Sequence, residues 1–262
     1  MTDIYASIEE LRKSGKDFVL CTVVGTKGST PRKIGAKMIV DGGGNIFGTI
    51  GGGELEKQVI KNALEIFNTG KPKTYRHDLL HQHGMCCGGT VDIFIEPVMM
   101  KRKLYIFGAG HTGQMLAKLS VNFDFETILI DDRKEYLNDL STEGVSKIHL
   151  PFGQALQLLP FDEQTFVCIM TYSHPIDRNI LAYCLKKPFA YLGMIGSRRK
   201  VEMTKKMFSE GLNISEDELE RIDMPMGINI AAEGPEEIAL SILAKLIAVK
   251  NKVNTWEKEL QL

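Results

Sequence analysis

The sequence predicts an α/β protein in which a mixed α+β domain over residues 1–98 precedes a doubly wound parallel sheet over residues 103–262. Two observations carry this prediction. In the second half, short apolar runs alternate with helical stretches, as in sheets built from β-α-β units. The first of these units also holds three glycines in G-x-G-x-x-G spacing between a strand and a helix, which predicts a Rossmann-like fold.

The glycine turn follows the apolar run Leu104 to Phe107. Gly108 permits a tight turn, Gly110 lets the backbone approach a phosphate, and Gly113 lets the helix pack closely on the strand. The helix begins near His111, and its N-terminus offers free N–H groups and partial positive charge. The turn therefore predicts binding of NAD or NADP, although the fold by itself does not establish a ligand.

A second strand, Thr127 to Ile130, ends in Asp131, which is placed to accept hydrogen bonds from a ribose diol. Asp131 and Asp132 favour NAD over NADP because two carboxylates repel a 2′-phosphate. Arg133 weakens this preference because it brings a positive charge to the same place. The alternative is a Rossmann scaffold whose nucleotide site is vestigial or takes a different ligand.

Composition indicates a soluble globular protein, with 44% hydrophobic and 25% charged residues among 262. The net charge of −1 argues against a nucleic-acid partner, which usually leaves a basic footprint. No apolar run is long enough to span a membrane, and the N-terminal segment lacks the apolar centre of a signal peptide. Five cysteines, an odd number, favour the reducing cytoplasm over a disulfide framework.

The N-terminal domain opens with a helix over residues 3–14 and a strand from Phe18 to Val24. Residues 25–35 form a basic loop rich in Gly, Ser, Thr and Pro. Such a loop can bind an anion through its backbone N–H groups, although an ordinary solvated turn has the same composition. The candidate contacts in this loop are Ser29, Thr30 and Arg32.

A hairpin is predicted next, with strands from Ala36 to Val40 and from Asn45 to Ile50. Three glycines then open a helix that starts near Glu54, and they allow backbone N–H groups to approach a phosphate. The alternative is a tight strand-to-helix turn without a ligand. These glycines are Gly51, Gly52 and Gly53.

Cys86 and Cys87 lie in a glycine-flanked loop before an alternating strand, Val91 to Ile95. Thiolates are soft metal ligands and nucleophiles, and their reactivity depends on a lowered pKa. We expect a loop thiol that contacts a soft metal centre or carries sulfur, with a buried inert pair as the alternative. Zinc is disfavoured because the spacing of the nearby histidines does not match a structural zinc pattern. Those histidines are His77, His81 and His83.

Two more candidate sites follow predicted strands of the second half. His174 comes after the strand Phe166 to Met170, at the edge where open α/β sheets bind ligands. The alternative is a capping or packing histidine.

Arginines at the start of a helix are unfavourable unless they serve a phosphate or an acidic partner, and the alternative is a solvated basic turn. The turn in question contains Gly196, Ser197 and Arg198.

Several longer segments go beyond these single motifs. They are GSTPRKIGAKMIV (28–40), GTIGGGELE (48–56), CCGG (86–89), IFGAGHTG (106–113), YSHPID (172–177), YLGMIGSRRK (191–200) and PMGINIAAEGPEEIALSILAK (225–245). Together they resemble the xanthine dehydrogenase accessory factor family, the XdhC/CoxI proteins, over nearly the whole chain. Glu54 stands where the CoxI branch usually has cysteine, so the chain resembles the xanthine dehydrogenase branch.

This resemblance implies an N-terminal accessory domain, a C-terminal Rossmann domain and a homodimer. Family members are similar to chaperones that bind molybdenum cofactor (molybdopterin), support its sulfuration by a cysteine desulfurase and insert it into a molybdenum hydroxylase such as xanthine dehydrogenase. By position, Cys86 and Cys87 would lie at the molybdenum or its sulfur. The triple glycine and residues 28–32 would face the pterin and phosphate, and residues 108–113 would hold a nucleotide or the nucleotide-like part of a cofactor.

The leading hypothesis is therefore a cytoplasmic accessory protein that matures a purine-oxidising hydroxylase and completes no reaction of its own. The alternative is an NAD(P)-dependent oxidoreductase with Cys86, Cys87 or His174 at its substrate site. That alternative needs an acid or base for hydride transfer, and His174 is the one candidate that the sequence offers.

Overall fold

The computed structural model describes residues 3–84, 88–138, 140–211 and 214–251. The chain divides into two compact units, Met1–Met100 and Lys101–Leu262. Each unit has its own sheet of five strands. The predicted fold class, an N-terminal mixed α+β region followed by a Rossmann-like parallel sheet, is confirmed.

The N-terminal unit is an antiparallel sheet with two helices, and its strand order is β3-β2-β1-β5-β4. Apolar side chains of α2 and of the sheet form one core, which includes Val19, Met38, Leu55 and Ile93. Its elements are α1 (Ile4–Lys13), β1 (Phe18–Lys27), β2 (Lys37–Asp41), β3 (Ile46–Gly48), α2 (Gly53–Thr69), β4 (Lys73–Asp78) and β5 (Thr90–Val98).

Strand β1 is longer than the sequence predicts. It runs three residues into the expected loop, because Gly25, Thr26 and Lys27 pair with β5 beyond a bulge after Val23. A β-bulge lets a strand bend and continue its pairing, so a glycine-containing stretch stays in the ladder. The basic loop is correspondingly shorter and begins at Gly28.

The second unit is a parallel sheet with strand order β10-β9-β6-β7-β8, and helices pack against both faces. Its elements are β6 (Arg102–Phe107), α3 (His111–Ser120), β7 (Phe125–Asp131), α4 (Lys134–Asn138), β8 (Val145–His149), α5 (Phe152–Leu158), β9 (Phe166–Ile169), α6 (His174–Cys184), β10 (Tyr191–Met194), α7 (Arg198–Gly211), α8 (Glu216–Glu220) and α9 (Gly234–Lys250).

The order of the strands reverses at β6, which lies between β7 and β9. In open parallel sheets, ligands bind beyond the carboxyl ends of the strands at such a reversal. The glycine turn after β6 and the segment after β9 both lie at this reversal. Within the described part of the chain, no helix combines the length and apolar character needed to cross a membrane.

Candidate functional site

Two of the three glycines after β6, Gly108 and Gly113, have the structural roles that their spacing predicts. Gly108 has φ +111°, and a Cβ there would lie 2.3 Å from the carbonyl oxygen of Met170, so only glycine fits. A Cβ on Gly113 would lie 1.9 Å from the carbonyl oxygen of Gly108, which shows how closely α3 packs on the turn. A Cβ on Gly110 would meet no described atom within 4 Å. Gly110 thus faces open space beside the N-terminus of α3, where His111 is exposed.

Asp131 does not offer its carboxylate to a ribose as the sequence predicts. Its side chain is fully buried, and it accepts hydrogen bonds from the backbone N–H groups of Ala109 (2.6 Å) and Arg133 (3.0 Å). The guanidinium of Arg133 donates two more, each of 2.9 Å. Burial by itself raises the pKa of Asp131, but these hydrogen bonds outweigh burial and hold the pKa below its ordinary value.

Asp132 lies beside this pair and is half-buried. One of its carboxylate oxygens accepts a hydrogen bond of 3.0 Å from the hydroxyl of Tyr172. The other oxygen is buried and has no partner in the described part of the chain. Asp131, Asp132 and Arg133 are thus brought together, and they contact the segment that follows β9.

His174 begins α6 and is paired with a buried acid. Its Nδ1 lies 3.6 Å from a carboxylate oxygen of Asp177, which is only 2% exposed. Asp177 also accepts hydrogen bonds from the backbone N–H (2.9 Å) and the hydroxyl (2.6 Å) of Thr171. Burial raises the pKa of Asp177 although these contacts oppose the shift. Asp177 therefore holds the segment that carries His174 and Tyr172.

The turn after β10 presents its basic residues to solvent. Gly196 is half-buried, whereas Ser197, Arg198 and Arg199 are exposed at the start of α7. Neither arginine forms an ion pair with another described residue. Both guanidinium groups are therefore available to a ligand or a partner.

In the N-terminal unit, the basic loop lies against the glycines that follow the cysteine pair. Ser29 forms a β-bridge with Gly88, and a Cβ on Gly89 would lie 2.3 Å from the carbonyl oxygen of Ser29. The hydroxyl of Thr30 donates to the carbonyl oxygen of Arg32 at 3.1 Å, and the Arg32 side chain is exposed. The structure therefore brings residues 28–32 together with Gly88 and Gly89, the two glycines of the CCGG motif.

The triple glycine is already occupied by a carboxylate of the chain itself. One oxygen of Glu56 accepts hydrogen bonds from the N–H groups of Ile50 (3.1 Å), Gly51 (3.2 Å) and Gly52 (2.8 Å) and from the hydroxyl of Thr49 (2.5 Å). The prediction that these N–H groups await a ligand phosphate is wrong for Gly51 and Gly52. Gly53, with φ +62°, begins α2 without such a bond to Glu56.

A polar cavity of about 360 Å³ lies between α2, β4 and the turn after β4. Its lining residues are Glu54, Gln58, Asn62, Tyr75, Arg76, His77, Gln82 and His83. The predictions from sequence did not include Gln58 and Asn62. Together with Glu54 they repeat every four residues, which places all three on one side of α2. The Nε2 of Gln58 donates to Oδ1 of Asn62 at 3.2 Å, so the two amides form a continuous polar surface.

Two of the three predicted histidines meet in this cavity. Nδ1 of His77 lies 3.2 Å from Nε2 of His83, a hydrogen-bond distance. His77 is only 3% exposed, and burial is the main cause that lowers its pKa to about 4, so it is neutral near pH 7. Its Nε2 has no partner among the described residues. His81 is exposed and pairs instead with Asp78 at 3.0 Å.

Three cysteines are buried free thiols in the described part of the chain: Cys21, Cys168 and Cys184. Burial raises the pKa of Cys21 and of Cys184 to about 12, and it also raises the pKa of Cys168. These thiols are therefore protonated and unreactive near pH 7. Cys86 and Cys87 lie outside the described residues, between Gly84 and Gly88. No three described His, Cys, Asp or Glu side chains converge as metal ligands.

Comparison with known proteins matches both halves of the chain to related domain families. Residues 104–246 match the XdhC Rossmann domain, and residues 11–78 match the XdhC and CoxI family. A solved structure from Bacillus halodurans described as a xanthine dehydrogenase shares 23% identity, with a TM-score of 0.51 over 95% of this chain and 96% of that one. At this identity the solved structure supports the fold alone.

Three relatives align with most of the chain. YqeB of Escherichia coli K12 is 33% identical over 95% of this chain and 46% of its own length. A Bacillus subtilis protein named as a probable xanthine dehydrogenase subunit is 28% identical over 63% of this chain and 48% of its own length. The molybdenum cofactor insertion chaperone PaoD of Escherichia coli K12 is 24% identical over 92% of this chain and 86% of its own length. The chain spans about half the length of the first two relatives. Because the XdhC Rossmann domain matches more than half of its residues and the XdhC and CoxI family matches its N-terminal part, the chain belongs to the XdhC family.

Proposed function

We propose that this chain is a cytoplasmic accessory protein that binds molybdenum cofactor as its cargo and delivers it to a xanthine dehydrogenase or a related molybdenum hydroxylase. Family membership supports the proposal, since PaoD is named as an insertion chaperone for this cofactor. A homodimer, and sulfuration of the cargo with sulfur from a cysteine desulfurase, belong to the same proposal. The chain itself completes no reaction.

The observation that carries the proposal is the polar cavity of the N-terminal unit. Its volume of about 360 Å³ falls within the range of small-molecule sites. Its turn ends at Gly84, directly before Met85, Cys86 and Cys87 in the sequence. A cargo that combines a hydrogen-bonding ring system with a metal–sulfur centre needs polar side chains and thiols close together, and this segment of sequence supplies both.

The lining of the cavity fits a pterin ring. The Gln58–Asn62 hydrogen bond leaves Oε1 of Gln58 and Nδ2 of Asn62 without a partner among the described residues, which gives one acceptor and one donor side by side. An adjacent amide acceptor and amide donor can form two hydrogen bonds with the edge of a fused heterocycle, as the amide of one Asn or Gln does with adenine. The unpaired Nε2 of the neutral His77 adds a buried polar atom, and leaving such an atom unpaired costs about 1–3 kcal/mol. Binding of a ligand that pairs this atom is favoured.

The remaining predicted residues take roles at the two ends of this cargo. Cys86 and Cys87 contact the molybdenum or its sulfur, because thiolates are soft ligands. Arg32 lies in the loop that packs on Gly88 and its side chain is exposed, so its guanidinium can receive the phosphate. Arg76 lines the cavity, but its guanidinium is paired with the carboxylate of Asp92 at 2.7 Å. The sequence thus offers separate groups for each chemical part of the cargo.

The test measures retention of molybdenum cofactor by the purified full chain. Gln58→Ala is expected to weaken binding by at least about fivefold, whereas Lys61→Ala, an exposed position on the same helix, keeps wild-type affinity. The double variant Cys86→Ala and Cys87→Ala is expected to leave a co-produced apo-hydroxylase inactive while the variant itself still folds. Full hydroxylase activity with the double variant, or equal cofactor binding by Gln58→Ala and wild type, contradicts the proposal.

A further inference from the structure

The carboxylate of Asp131 has no acceptor position left for a ribose. An ionised carboxylate accepts about four hydrogen bonds, two at each oxygen. One oxygen of Asp131 accepts from the backbone N–H and Nε of Arg133, and the other accepts from Nη2 of Arg133 and the backbone N–H of Ala109. A ribose diol can bind here only if the guanidinium of Arg133 leaves.

The guanidinium of Arg133 also lies against two aromatic rings. It lies 3.9 Å from the ring centre of Tyr136 and 4.3 Å from the ring centre of Tyr172. Stacking of this kind on two aromatic rings is favourable for arginine, whose planar guanidinium is weakly hydrated. The hydroxyl of Tyr172 donates to Asp132 at 3.0 Å, and this bond holds the outer ring in place.

We propose that Arg133 and Tyr172 form a latch that excludes the adenosine half of NAD and NADP from the Rossmann groove. The latch is defined by two contacts, the Arg133–Asp131 ion pair and the Tyr172–Asp132 hydrogen bond. Arg133 holds the acid that reads the ribose in dinucleotide-binding folds, and Tyr172 covers Arg133. The sequence predicts that residues 131–133 contact the cofactor. As parts of the latch, these residues instead determine specificity against adenosine dinucleotides.

The latch closes only one part of the groove. The face of Gly110 stays open beside the N-terminus of α3, because a Cβ there would meet no described atom within 4 Å. The fold therefore retains the turn of a dinucleotide site while the ribose-reading acid is used internally. This inference does not depend on the proposed role in cofactor delivery, since its ligands are NAD and NADP.

Titration of NAD and NADP into the full chain by calorimetry tests the latch. The wild type is expected to bind NAD with a Kd weaker than about 1 mM. Tyr172 is 54% exposed, so Tyr172→Ala removes the outer ring without opening the core. Without this ring the guanidinium of Arg133 leaves Asp131 more readily, and NAD binding is therefore expected to tighten by at least about tenfold. The double variant Arg133→Ser with Tyr172→Ala also frees two acceptor positions on Asp131 and is expected to bind tighter still.

Tyr5→Ala is the matched control, because Tyr5 is 63% exposed and lies in the other unit, and it is expected to behave as wild type. A wild-type Kd below about 10 μM overturns the proposal. An unchanged, weak affinity for NAD in a folded Tyr172→Ala variant also overturns the proposal. This single variant provides the test if the double variant does not fold. Loss of molybdenum cofactor binding in any of these variants concerns the proposed function and leaves the latch test unaffected.

Discussion

The carboxylate of Glu56 accepts a hydrogen bond of 2.8 Å from the backbone N–H of Gly52, at the turn where the sequence predicts a ligand phosphate. Glu56 lies in the first turns of α2, so its negative charge also interacts favourably with the N-terminus of that helix. The glycines serve the fold here, because consecutive positive φ angles at Gly51, Gly52 and Gly53 turn their backbone toward the helix.

Glu56→Ala is expected to lower the free energy of unfolding by about 2–4 kcal/mol, because it leaves three half-buried backbone N–H groups without their acceptor. Glu56→Gln keeps an acceptor oxygen and is expected to cost only about 1 kcal/mol. Urea unfolding measures both changes. Glu54→Ala is the control, since Glu54 is exposed and its ion pair with Lys57 contributes little. Equal stability of the Glu56→Ala and Glu54→Ala variants would contradict the role given to Glu56.

The contribution of Glu56 to the free energy of unfolding is expected to fall in acid. Hydrogen bonds from Thr49 and the backbone outweigh burial and lower the pKa of Glu56 below its ordinary value of 4.5. A carboxylate with a depressed pKa in the folded state stabilises the fold fully above its unfolded pKa. The stabilisation is lost as the pH falls through the lower pKa of the folded state. Glu56→Gln is therefore expected to flatten the loss of stability below about pH 4.5.

His77 is expected to make the protein less stable in mild acid. The pKa is 6.5 in the unfolded state and about 4 in the folded state, so between these values only the unfolded chain takes up the proton. The free energy of unfolding consequently falls as the pH falls through this window, by up to about 3 kcal/mol for the whole shift. Urea unfolding at about pH 7 and about pH 5 should show a smaller pH effect in His77→Gln than in wild type. The exposed control His81→Gln should keep the wild-type dependence, and parallel profiles for wild type and His77→Gln would refute this prediction.

Asp177 is expected to be a structural support for the segment after β9. Asp177→Ala removes the acceptor of the Thr171 N–H and hydroxyl and is expected to cost about 2–3 kcal/mol of stability, since both donors are half-buried. Asp177→Asn retains an acceptor oxygen and should cost about 1 kcal/mol. Chemical unfolding followed by circular dichroism gives both values. Lys186→Ala, at an exposed position just after α6, should be neutral, and the prediction fails if Asp177→Ala matches it.

The sequence predicts most elements of this fold because their signals are local. The β6–α3–β7 unit follows from apolar runs on either side of three spaced glycines, and the structure confirms the tight turn at Gly108 and the close helix packing at Gly113. The short helix α8 follows from a capping box, and Ser215 and Glu218 make both of its reciprocal bonds. In each case the residues that decide the structure lie within a few positions of one another.

The predictions that fail concern contacts whose partners the local pattern does not identify. The end of β1 depends on pairing with Val91 and Asp92, more than sixty residues later. The cavity joins one side of α2 to β4, so neither segment by itself predicts it. Asp131 and the backbone N–H groups of Gly51 and Gly52 are predicted to contact a ligand, whereas in the structure they form hydrogen bonds within the chain.

Alanine substitutions at Gly110 and Gly113 distinguish the glycine that faces open space from the glycine at which the helix packs on the turn. Gly110→Ala is expected to change stability by less than about 1 kcal/mol, because φ is −65° and the new methyl group enters open space. Gly113→Ala places a methyl carbon 1.9 Å from the carbonyl oxygen of Gly108 and is expected to cost more than about 3 kcal/mol. Thermal unfolding of the two variants measures the difference. Equal stabilities would mean that α3 can move away from the turn at little cost, and the close packing of helix on strand would then not constrain Gly113.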